Sequence, residues 1–204
     1  MAIKERKERE KQDMRNLIID SATGLFLKLG YDKTSIRTIA EDIEYSPATI
    51  YLYFKDKDEI FYVIHENAFA LLDKEFRKHD VIENHFERLA AICSTYINFA
   101  LKNPDYYDLM FIMRAPLSQI ACEETWTAGN CAFDYLLDTM SGCVDEKLIK
   151  GGDKFLLAMS VWSFGHGLVS LYVRGRFDVM NMPEDVVKDM LDKAVANFLN
   201  NLKA

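Results

Sequence analysis

Apolar side chains recur at spacings of three and four along almost the whole of this chain, and no stretch of alternating hydrophobicity bounded by turn signals persists. That period belongs to helices that bury one face, so the sequence predicts an all-α protein. Breaks at Gly30, Tyr45, Lys55-Asp56, Asn103-Pro104, Ala115-Pro116, Ser141-Gly142, Gly151-Gly152 and between Gly175 and Pro183 delimit the elements. They divide the chain into about nine helices. The first three form a small head over residues 1–57, and residues 58–204 form a larger helical bundle.

Local signals place the head's helices. A charged N-terminus leads into a first helix that runs to Leu29 and buries Ile18, Ala22, Leu25 and Phe26, with Gly30 free to take a left-handed C-cap conformation. Thr34 is the expected N-cap of a short helix carrying Ile36, Ile39, Ala40 and Ile43 on one face. Ser46-Pro47 starts another: the serine oxygen accepts from an orphan N–H, and proline at the first helical position lacks one. It covers Ala48 to Phe54. Asp56 and Glu59 make an acidic capping box for a long helix that turns Ile60, Ile64, Ala68 and Leu71 inward.

Net charge is -7, yet its distribution is uneven: residues 1–57 carry 11 basic and 10 acidic side chains, and the other 147 carry 14 basic and 22 acidic. The total argues against a general nucleic-acid coat, while the split permits a locally positive face on the head. Cys93, Cys122, Cys131 and Cys143 have neither CxxC nor CxxH spacing, and four scattered histidines make a metal centre unexpected. The first residues form no secretory signal. A reduced, cytoplasmic protein without cofactors is expected. Phe155 to Val173 contains no charged residue and approaches the length of a membrane span, but it includes Ser, Gly and His166 and has no second such segment beside it. The expectation is no membrane partner and a helix buried on nearly all sides.

Two short helices separated by a few residues, the second opening on small polar groups, fit a helix-turn-helix that presents the start of its second helix to a major groove. The run Ile18, Ala22, Phe26, Gly30-Tyr31, Thr34-Ser35, Ile39-Ala40, Ser46, Thr49-Ile50-Tyr51, Phe54, Lys57 and Ile60 resembles, without a gap, the head of the tetracycline-repressor (TetR) family of bacterial regulators. Glu44 departs from it, standing where the family usually has glycine at the turn, and Ala48 replaces another common glycine. Glu44 must then bear a left-handed or altered backbone.

The resemblance implies a homodimer that binds duplex DNA at a palindromic operator. It places Pro47, Ala48 and Thr49 against base edges, with Arg37 reaching from the preceding helix. Arg37 suits a bidentate guanine contact, and the Ala48 and Thr49 methyls suit thymine. Ser35, Tyr51, Tyr53 and Lys57 lie where the family grips phosphates, setting register and not sequence. Lys4, Arg6, Lys7, Arg9 and Lys11 supply further cations, but Glu5, Glu8 and Glu10 interleave with them.

The C-terminal half is read as a sensor and dimer module. Trp162, His166 and Gly167 resemble a Trp-x-x-x-His-Gly signature of one branch of the family's C-terminal domains, and the stretch from Asn103 to Phe111 resembles that branch's helix junction. Gly165 and Gly167 weaken a helix, a cost that tight packing would offset. Phe69, Tyr96, Phe111, Trp126, Phe133, Trp162 and His166 are candidates to line a pocket for a small, largely apolar effector, each weighed against an ordinary place in the core. Glu184 to Leu202 carries Val187, Leu191, Ala194, Val195 and Phe198 as a stripe for a four-helix interface between subunits.

No nucleophile–base pair or metal cluster with mechanical spacing appears, so no enzyme is expected. The reading is a ligand-responsive transcriptional regulator, a repressor released by its effector. The alternative is an adaptor or activator that retains the fold, the adaptor without binding DNA.

Overall fold

The computed structural model describes residues 2–114 and 127–204. Its elements are α1 (Ala2–Leu29), α2 (Ile36–Asp42), α3 (Pro47–Ile50), α4 (Lys57–Arg77), α5 (His85–Lys102), α6 (Pro104–Tyr107), a π-helical turn (Asp108–Ile112), α7 (Thr127–Asp145), α8 (Lys154–Val173), α9 (Arg176–Val179) and α10 (Glu184–Leu202). Among the described residues there is no strand, only an isolated bridge between Ile149 and Lys203. The all-α expectation holds. One expected break is absent, because α7 runs straight through Ser141-Gly142; the break at Ala115-Pro116 lies outside the described residues.

The chain forms two compact units. One joins Met1–Ala68 to the segment that begins at Asp105, and the other joins Phe69–Pro104 to Thr127–Ala204. This division differs from 1–57 and 58–204, because α4 contributes to both units and the π turn belongs with the head. The cause is apolar: Leu109 is 1% exposed within the head's core and Met113 packs against it.

In the head unit, Ile18, Ala22 and Phe26 of α1 meet Ile39, Ala40, Ile50, Phe54, Ile60, Phe61 and Ile64. Phe26, Tyr31 and Phe61 form a ring triangle with centroids 5.3–5.7 Å apart. Gly30 ends α1 at φ 84, the left-handed conformation that its lack of a Cβ makes inexpensive. In the body unit, α5 packs against α7, α8 and α10. Leu89, Ile92, Ile97 and Ala100 of α5 are buried there with Leu136, Met140 and Cys143 of α7 and with Val187, Leu191, Val195 and Leu199 of α10. Gly142 is required by close approach: a Cβ there would stand 2.2 Å from the His85 ring, which is held by a 2.8 Å contact to Glu146.

Helix α8 is not the all-round core helix that its composition suggests. It is long and apolar enough to cross a membrane, yet only 17% of its apolar window is buried within this chain. Ala158, Val161 and Val169 face α5 and α7, while Phe155, Leu156 and Leu171 are exposed. The tight packing expected at Gly165 and Gly167 is likewise absent among the described residues. A Cβ on Gly165 would meet Tyr96 at an ordinary 3.6 Å, and one on Gly167 would meet nothing within 4 Å.

Candidate nucleic-acid interface

The N-termini of the two short helices are built by serines. Ser35, at φ -127, caps α2 and accepts from the Thr38 N–H at 3.1 Å. The cap is therefore not Thr34, which is 2% exposed and whose hydroxyl donates to the Gly30 carbonyl at 2.9 Å. Burial of the Thr34 methyl and hydroxyl under the end of α1 removes it from the cap. Ser46 caps α3 as expected, accepting from the Thr49 N–H at 3.3 Å, with Pro47 at the first position. Helix α3 proper is shorter than expected; a further turn through Tyr53 is carried by the Leu52 and Tyr53 N–H groups donating to Thr49 and Ile50.

Between the two helices Glu44 sits at φ 60, so the turn keeps the left-handed geometry that glycine usually supplies. The Tyr45 N–H then donates to the Ala40 carbonyl at 2.9 Å and closes the helix end. With Ile39, Ala40, Ile50 and Phe54 turned into the core, the opposite faces of α2 and α3 are left to solvent. Ser35, Arg37, Pro47, Ala48 and Tyr51 are exposed, and Thr49 and Tyr53 are half-buried.

Arg37 projects into solvent. Its Nε donates to Glu41 at 2.8 Å, and that carboxylate holds the guanidinium firmly protonated. The terminal NH2 groups of the fork lie outside this contact, as a bidentate base contact requires. Lys57 is placed differently from a free phosphate-binding cation. Its ammonium donates to the carbonyls of Tyr31 and Thr34 at 2.8 and 2.9 Å and rests 3.9 Å from the centre of the Tyr31 ring. Two of its three N–H groups thus tie α4 to the turn between α1 and α2. The Asp56 and Glu59 box forms with a shift: Asp56 accepts from the Glu59 N–H, but Glu59 reaches back to the Lys55 N–H at 2.6 Å.

Two residues of this surface carried no signal in the sequence. Arg15 of α1 donates to the Tyr53 carbonyl at 2.7 Å and lies 4.3 Å above the Phe54 ring, a contact across 38 residues that no local pattern announces. Leu52 is 77% exposed beside Tyr51, where a leucine in a helical pattern reads as core.

In the body unit, four of the candidate pocket residues come together. The Tyr96 hydroxyl is 3.2 Å from His166 Nδ1, Trp162 meets the His166 ring edge-on at 6.2 Å, and Phe133 lies 6.0 Å from Trp162. Burial pushes the His166 pKa below its ordinary value, so the imidazole is neutral at pH 7. Phe69 is buried in the same unit, whereas Phe111 belongs to the head unit and packs on Tyr107 at 5.3 Å. Trp126 lies outside the described residues, as does Cys122. Cys93 and Cys143 are free thiols whose pKa values burial raises to about 12 and about 11, which makes them poor nucleophiles. Among the described residues no group of three or more His, Cys, Asp or Glu side chains is arranged for a metal.

Two family models of bacterial regulators match this chain. Residues 18–63 match the family model of bacterial regulatory proteins of the tetR family, and residues 89–198 match that of the tetracyclin repressor-like C-terminal domain. The HTH-type transcriptional regulator HbdR of Aromatoleum sp. (strain CIB) is 35% identical over 86 residues, 42% of this chain and 38% of that protein. The biofilm operon icaADBC HTH-type negative transcriptional regulator IcaR of Staphylococcus epidermidis is 35% identical over 68 residues, 33% of this chain and 37% of its own length. The match thus spans little more than a third of either relative. The solved TetR family transcriptional regulator PfmR of Thermus thermophilus superposes with a TM-score of 0.69 at 18% identity, over 92% of this chain and 96% of that one. With one family model on the helix-turn-helix and another on more than half of the chain, the protein belongs to the TetR family of bacterial regulators.

Proposed function

We propose that this protein is a ligand-responsive transcriptional repressor that binds a palindromic operator as a homodimer, in the cytoplasm. One observation carries the DNA-binding part: the helix-turn-helix buries Ile39, Ala40, Ile50 and Phe54 and leaves Arg37, Pro47, Ala48 and Tyr51 exposed around two serine-capped helix starts. In this reading Arg37, Pro47, Ala48 and Thr49 face base edges, and Ser35, Tyr51, Tyr53 and the remaining N–H of Lys57 hold phosphates. One short recognition helix buries too little for a specific site, so two heads dock on two half-sites.

Repression is supported by the negative regulator among the relatives. The effector is a small, largely apolar molecule, received at the aromatic group of Tyr96, Phe133, Trp162 and His166, whose hydroxyl–imidazole pair supplies a polar contact. Support for the Trp-x-x-x-His-Gly branch comes from Trp162, His166 and Gly167 standing in that register. Effector binding favours a dimer whose heads are spaced wrongly for successive major grooves, so effector and DNA oppose each other.

The test is selection from a random duplex pool at moderate salt, then an anisotropy titration of the winner at several salt concentrations. A palindrome bound with a steep salt slope is expected, and Arg37→Ala relaxes its base preference. A folded dimer that enriches no sequence leaves the adaptor reading instead.

A further inference from the structure

Helix α1 is longer than the head needs. Packing begins at Met14, so residues 4–13 project as exposed helix. In this projection Lys4, Lys7, Lys11 and Arg15 follow one another at spacings of three, four and four, and the same series continues into Ile18, Ala22 and Phe26, each 0% exposed. On one continuous α-helix these seven residues form a single stripe. The face that is the head's apolar seam below is a row of cations above.

Three of the four acids that interleave with these cations in the linear sequence are sorted away by the helix. Glu5, Glu10 and Asp13 fall on the other faces together with Arg6 and Arg9, and Glu10 is paired with Arg6 at 3.2 Å. Glu8, four residues after Lys4 and three before Lys11, lies in the row itself and offsets part of its charge. At its lower end the row runs into Arg15, which holds the Tyr53 carbonyl, so it continues to the turn where Tyr51 and Leu52 stand exposed.

We propose that Lys4, Lys7 and Lys11 form a rigid arm that binds DNA phosphates flanking the half-site, extending the grip of the helix-turn-helix along the backbone. This rests on the DNA-binding reading above. Charge complementarity names the partner, and the geometry suits it. Lys4 to Lys11 spans about 10 Å of helix, comparable to the axial rise of about three phosphates on one strand. Solvated lysines fit phosphates as point charges and read no base. Residues 4–13 carry no apolar side chain that a membrane-surface helix would bury.

The full-length protein is first used to select its duplex, and then two charge-matched variants are compared, Lys7→Gln/Lys11→Gln on the row and Arg6→Gln/Arg9→Gln on the outer face. Glutamine keeps helix propensity, and the positions are outside the core, so equal thermal melts verify both folds. The row variant is expected to lower the slope of log affinity against log salt by roughly 0.9 for each phosphate it no longer neutralises, and to weaken binding about tenfold at low salt. The outer variant leaves the slope near that of the wild type. Trimming the duplex to the footprint of the heads should cost the wild type its advantage over the row variant. Equal effects of the two variants, or no effect of the row variant on slope or length dependence, overturn the arm while leaving the regulator reading intact. Failure of the wild type to enrich any duplex removes both.

Discussion

Glu44 shows how a single residue bears strain for an element. Its φ of 60 is a conformation that costs a residue with a Cβ about 1–2 kcal/mol, taken at the turn between α2 and α3. Glu44→Gly removes that strain and returns part of the gain as added freedom of the unfolded chain. The expected net result is a head more stable by roughly 0.5–1 kcal/mol, read as a higher denaturation midpoint at unchanged denaturant slope. No gain would mean that the carboxylate makes a compensating contact. The turn was legible in the sequence because a glycine-type position occupied by glutamate is a local fact. Arg15 was not, because its partner is a backbone carbonyl 38 residues away.

At the scale of elements, the caps that depend on one side chain and its neighbours were readable: Gly30 after α1, Ser46-Pro47 before α3, Asp56 before α4. What escaped are the features that depend on packing between elements. Thr34 and Ser35 are equally good N-caps on paper, and only burial of Thr34 beneath α1 decides for Ser35. Gly142 looks like a break, but it lies inside α7 because the His85 ring needs the space. The π turn joins the head because Leu109 fills its core, which the period of the sequence does not reveal. Lys57 belongs here too, since it braces α4 against the turn from α1 to α2 by two carbonyl contacts and a tyrosine face. Lys57→Gln is therefore expected to destabilise the head by roughly 1–3 kcal/mol in urea unfolding, besides weakening every duplex alike. Weaker DNA binding with an unchanged midpoint would return Lys57 to a purely phosphate-binding role.

For the whole molecule the informative surface is the one that α8 leaves uncovered. Leu156, Ser160, Ser163, Gly167 and Leu171 recur at spacings of four, three, four and four, and all five are exposed. A stripe with small residues in its middle and leucines at its ends lets a second helix approach closely, and the open space around Gly167 is ready for it. This accounts for two failures of the sequence reading together. A helix this apolar looks buried on all sides, and its glycines look tightly packed, because sequence does not distinguish burial within a chain from burial between chains. A two-fold pairing in which α8 meets its copy, with α10 beside it, would supply that cover. Gly167→Leu tests it cleanly. Among the described residues a Cβ there meets nothing within 4 Å, the position is exposed, and leucine favours helix more than glycine does, so the protomer should fold at least as well. The association should nonetheless weaken, seen as monomer in sedimentation velocity at concentrations where the wild type is dimeric. Operator affinity should fall by roughly 100-fold or more as two coupled half-sites become one. If Gly167→Leu stays dimeric with full affinity, the subunits meet elsewhere and the apolar face of α8 serves another partner.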